Sequence, residues 1–128
     1  MRSISRQAWI ATGFGLLAAA MIYWPLANGQ MEMMSFPYFL RCSAGAFPAA
    51  SLAVFLLQVT TIQSTRYVLT GMVLAMLMRI IFDTVSAPTD HNLWPLEIAL
   101  TVAWAIPGCI LGALTGKVVR KIGSPKPD

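Results

Sequence analysis

The chain has 128 residues, 57% of them hydrophobic and 11% charged, with a mean hydropathy of +0.67. An ordinary soluble domain carries roughly 25% charged residues, and a chain this short cannot hide so much apolar surface in one water-soluble core, so the composition excludes a soluble domain and points to a bilayer as solvent. The formal net charge of +4 does not argue for nucleic acid, because the cations gather at segment ends, where they set orientation in a membrane.

A helix needs about 20 residues to cross a hydrocarbon core of about 30 Å, and four stretches are long enough. The first, near residues 9–27, follows Arg2 and Arg6 and ends in "WPLANGQ". Its basic start also suits a signal peptide, but the apolar run is longer than a usual signal core, so it reads as a retained helix. The second, near residues 38–58, is opened by Pro37. The third, near 66–86, stops at "SAPTD", and the fourth, near 95–116, has Pro95 in its first turn. The expected fold is therefore all-α and integral to a membrane: four transmembrane helices in an antiparallel bundle, one domain over residues 1–128 that ends in a short basic tail from residue 117.

Charge gives the orientation. With four crossings, Arg2, Arg6, Arg66, Lys117, Arg120, Lys121 and Lys126 fall on one side, and Glu32, Asp83, Asp90 and Glu97 on the other. The positive-inside rule then places both termini and the "TTIQST" turn in the cytoplasm of a bacterial-type inner membrane. Trp9 and Tyr67 fall at the inner boundary, with Tyr23, Trp24, Tyr38 and Trp94 at the outer one, where amphipathic rings prefer to sit.

Two arginines lie within spans instead of loops. Arg79 is about 10 Å from the outer end of the third helix at 1.5 Å per residue, and Arg41 about one turn inside the second. Such residues face the bundle interior and find partners. Gly71, Ala75, Arg79 and Asp83 recur every four residues, a small-residue face leading to an i,i+4 Arg–Asp pair. Arg41, Gly45, Ala49 and Ala53 repeat the pattern, so both arginines are expected to point inward. On the fourth helix Glu97 and Thr101 continue to Gly108, Gly112 and Gly116, a GxxxGxxxG packing run preceded by Pro107. Arg41, Arg79, Asp83 and Glu97 are thus expected to converge at the outer end, capped by Asp90 and His91 from the last connector. That cluster reads either as a structural ion-pair network or as a pocket for an anionic or polar ligand.

The remaining candidates are weaker. Cys42 and Cys109 have no CxxC or metal-ligand spacing and read as small buried packing residues. Met31, Met33 and Met34 with His91 would make a soft thioether site for a metal, but without a second histidine they read as adaptable apolar contacts. No cofactor is expected. The partners expected are the lipid bilayer and either other membrane subunits or a second copy. The leading functional expectation is a non-catalytic subunit or assembly partner of a larger membrane complex. The alternative is a transporter, channel or ligand-binding protein that uses the arginine-bearing pocket, and the third is a membrane enzyme with His91 as acid or base.

Overall fold

The computed structural model describes residues 2–23, 36–86 and 94–124. Their regular structure is all helical: α1 (Arg2–Tyr23), α2 (Phe36–Leu57), α3 (Thr61–Ser86) and α4 (Trp94–Gly123). Three segments, Pro37–Leu57, Thr61–Ser86 and Pro95–Gly123, are long and apolar enough to cross a membrane, which marks the chain as a membrane protein. α1 falls short of that standard because Arg2, Arg6 and Gln7 occupy its first turns. Its apolar part, from Ala8 to Tyr23, is about 24 Å long at 1.5 Å per residue.

Helix ends follow local chemistry more closely than hydropathy. Most of the "TTIQST" segment, expected as a turn, belongs to α3, and the turn itself is confined to residues 58–60. Thr60 and Gln63 form a capping box: the Gln63 N–H donates to Thr60 Oγ1 at 3.2 Å, and the Thr60 N–H donates to Gln63 Oε1 at 3.1 Å. Gln58 reverses the chain with φ 55°, a left-handed conformation more usual for glycine after a helix. α4 runs past residue 116 to Gly123, with Arg120 and Lys121 in its last turn, where cations complement the helix dipole.

Gln7 of α1 donates to the Leu57 carbonyl of α2 at 2.9 Å, and a side chain at Gly45 would meet Ile22, so α1 and α2 run antiparallel. Across the short turn Ser64 Oγ donates to the Ala50 carbonyl at 3.0 Å. Yet the most extensive packing joins the parallel pairs, α2 with α4 and α1 with α3. In cross-section the order is α1, α3, α4, α2, with a slight diagonal contact between α2 and α3; among the described residues α1 and α4 do not meet.

Glycines explain the parallel pairs. A Cβ built on Gly108, Gly112 or Gly116 would overlap the backbone at the carbonyl of Ser43, Phe47 or Ser51 respectively, so α4 rests directly on the α2 backbone. Gly15 meets the Val68 carbonyl in the same way, and Gly71 meets that of Thr12, which joins α1 to α3. Lipid supplies no hydrophobic force between helices, so close backbone approach and the dispersion it gives must hold them.

The interior is correspondingly small: Ala46, Ala50, Ala53, Ala105 and Ala113 are wholly or almost wholly buried, while Leu40, Phe55, Ile81, Phe82 and Leu111 face outward. Small residues inside and large ones outside is the arrangement expected when the surroundings are as apolar as the core. Hydroxyls obey the same solvent. Thr70, Thr84, Ser86 and Thr115 each donate to the carbonyl four residues earlier, at 2.7–3.0 Å.

Candidate functional site

The end of the bundle formed by the start of α2, the end of α3 and the start of α4 holds the polar side chains of interest. On α3, Gly71, Ala75, Arg79 and Asp83 all lie on the buried face. Arg79 Nε donates to Asp83 Oδ2 at 3.2 Å, the residues being 8% and 6% exposed. One helical turn brings i and i+4 together. An arginine at the centre of a span costs about 2.5–3.5 kcal/mol on insertion scales, an upper bound for Arg79 nearer the end of α3, and pairing with Asp83 offsets part of that cost.

The contact between α2 and α4 has its own polar stitching. Tyr38 is 4% exposed, and its hydroxyl shares a hydrogen bond with Thr101 Oγ1 at 2.9 Å. Ser43 Oγ donates to the Trp104 carbonyl at 2.6 Å. The Phe39 ring meets Trp104 edge to face, with centroids 5.2 Å apart and planes at 82°. Spacing held the signal for Tyr38: it lies on one face with Cys42, Ala46, Ala49 and Ala53, all buried. That face lies one residue round the helix from the one defined by Arg41 and Gly45.

The rotation decides where Arg41 goes. It is exposed, not turned inward, and it forms no ion pair among the described residues. The expectation that both arginines face the interior therefore fails for Arg41, because Tyr38 and Cys42 take the α4-facing side of α2 and leave Arg41 directed toward α1. There it stands at one end of a groove of about 820 Å³, walled among the described residues by α1 and α2. Leu17, Met21 and Ile22 line one wall, and Ala44, Gly45 and Pro48 the other. Proline has no N–H, so Pro48 gives the Ala44 carbonyl no helical donor.

Glu97 is half-buried in the first turn of α4, where a carboxylate suits the helix dipole. Cys42 and Cys109 are buried and form no disulfide. Asp90, His91, Met31, Met33 and Met34 lie outside the described residues. At the opposite end of the bundle Lys117 and Arg120 overlook a smaller pocket of about 340 Å³ beside the turn between α2 and α3. Among the described residues no cluster of His, Cys, Asp or Glu is placed to hold a metal ion.

Comparison with protein-family models, curated proteins and solved structures returned no match. The geometry therefore carries the functional argument. It offers two unlike arginines: one already neutralised inside the bundle, the other presented to a lateral apolar groove.

Proposed function

We propose that the protein spans the membrane four times with both termini in the cytoplasm, and that it binds an anionic or polar ligand in the groove between α1 and α2, with Arg41 as the anion contact. The observation that carries this reading is the exposed Arg41 at the end of an apolar groove, in contrast to the buried Arg79, which is paired with Asp83. The fourth crossing is supported by the backbone contacts of Gly15 and Gly71, which seat α1 alongside the apolar α3. Orientation rests on the basic residues Arg6, Arg66, Lys117, Arg120 and Lys121, which share the end opposite Asp83 and Glu97. That charge bias is the one expected of a bacterial-type inner membrane.

A second reading, a subunit or assembly partner of a larger membrane complex, is favoured by the small residues Ala44, Gly45, Pro48 and Ala49 along the same groove, a surface on which a partner helix could close-pack. The GxxxG run of α4 gives that reading less support, because Gly108, Gly112 and Gly116 rest on α2 of the same chain.

Native mass spectrometry of protein purified in mild detergent separates the two. The ligand reading expects a small bound mass that is lost in Arg41→Gln. A stoichiometric second protein, released by Gly45→Leu and indifferent to Arg41, selects the subunit reading instead. Orientation is tested in a Cys42→Ala, Cys109→Ala background: a membrane-impermeant thiol reagent added outside should label Asp90→Cys and spare Ser124→Cys, and the reverse pattern would overturn it.

A further inference from the structure

The groove at Arg41 has three properties that narrow its occupant, given the reading of Arg41 as a ligand contact. The first is depth. Arg41 and Leu52 bound its α2 wall, and that interval is about 16 Å at 1.5 Å per residue, close to half of a hydrocarbon core of about 30 Å. The groove is one leaflet deep.

The second property is its opening. Among the described residues, every one that lines it belongs to α1 or α2, and neither α3 nor α4 closes it. It therefore faces the acyl chains beside the bundle and not the bundle's interior, so an occupant enters sideways from the bilayer. A small hydrophilic anion would have to shed its water to lie there, with Arg41 the one charged group in the lining among the described residues.

The third property is the order of its chemistry along the membrane normal. Arg41 lies near the start of α2, about 7 Å along the axis from Phe36, and its long side chain can extend toward the headgroup level. Below it come the short side chains of Ala44, Pro48 and Ala49, faced by Leu17, Ala18 and Phe14 of α1. At Gly45 the two helices come into contact, since a Cβ there would run into the Ile22 side chain. A cation above an apolar trough one leaflet deep matches an anion joined to a single hydrocarbon chain.

We propose that this groove is a phospholipid site: a lipid phosphate pairs with the Arg41 guanidinium, and one acyl chain of that lipid lies along the α1–α2 trough. Arginine suits the phosphate because its planar fork donates two parallel hydrogen bonds. The second acyl chain stays in the bilayer, since the groove is open on that side. Occupancy fills space between α1 and α2 that no side chain of the described residues fills, so the bound lipid acts as a wedge that fixes the angle between them.

The test uses the full-length protein in mild detergent, with phosphatidylglycerol added in steps and retention read by native mass spectrometry. Wild type should hold one lipid through gas-phase activation. Arg41→Gln should weaken retention about tenfold or more, the loss of one charge-assisted contact. Ala44→Leu, which fills the trough and leaves the cation in place, should weaken it to a similar degree. Circular dichroism melts in the same detergent, unchanged by either exposed-site substitution, show that folding is intact. Retention that is unaffected by both variants overturns the lipid proposal. Soluble glycerol phosphate provides the second arm. If it binds in an Arg41-dependent way while lipid retention ignores Arg41, the lipid proposal fails and the ligand reading stands; if neither probe depends on Arg41, both fail.

Discussion

Replacing Gly112 by alanine should separate α4 from α2 at the middle of their contact. In an isolated helix the change is favourable by about 1 kcal/mol, because glycine loses more backbone freedom than alanine. Here the new methyl would meet the Phe47 carbonyl, carbonyl carbon and Cα together. Those are backbone atoms, which no rotamer change can remove, so the helices themselves must move apart. Overpacking of this kind costs about 1–3 kcal/mol, and the shift also weakens the flanking approaches at Gly108 and Gly116, each of which brings a Cα–H toward a carbonyl oxygen for about 0.5–1 kcal/mol. The expected net effect is a loss of about 1–3 kcal/mol. Gly13 gives an internal control, since a Cβ there meets nothing within 4 Å; Gly13→Ala should be neutral or stabilising by up to about 1 kcal/mol. Reversible unfolding in mixed micelles, followed by far-ultraviolet circular dichroism, measures both. If Gly112→Ala proves as stable as Gly13→Ala, the backbone contact between α2 and α4 does not hold the bundle as argued.

Three further outcomes are expected. Arg79→Ala should destabilise by about 3–5 kcal/mol, because Asp83 loses the cation it is buried with, whereas Arg79→Met combined with Asp83→Leu should recover most of that loss in the same unfolding assay. Thr101→Val should lower stability by about 1–3 kcal/mol, since the buried Tyr38 hydroxyl loses its partner; adding Tyr38→Phe should cost little more, and a fully additive double mutant would show the two are not coupled. Cys42 and Cys109 are both sealed from the surroundings, so a maleimide reagent should label neither in native micelles and both after denaturation.

The helices and the Arg79–Asp83 pair were legible because each depends on spacing along a single segment: apolar length in one case, an i,i+4 interval in the other. The rotation of α2 was not. Two small-residue faces lie side by side on that helix, one beginning at Tyr38 and the other at Arg41, and periodicity ranks them equally. What separates them is on another helix, where the Thr101 hydroxyl shares a hydrogen bond with Tyr38 and the Trp104 carbonyl accepts one from Ser43. The glycine run of α4 was legible as a packing surface, but a four-residue interval names a face and no partner, so its match to Ser43, Phe47 and Ser51 required the fold. The start of α3 was written in the sequence as T-x-x-Q. Hydropathy placed the boundary later because capping is a polar signal and the apolar count ignores it.

The parallel pairing of α2 with α4 has a consequence for how the protein is made. Helices leave the ribosome in chain order, and the first hairpin is complete long before the surface that α2 needs has been synthesised. Until α4 arrives, the Ser43, Phe47 and Ser51 side of α2 lies bare against lipid, and the widest contact in the molecule does not exist. Neither half of the chain is a finished unit that can wait for the other. Closure belongs to the last helix, and a nascent chain stalled after Ser86 would present the membrane's proteases with an open three-helix intermediate in place of a protein.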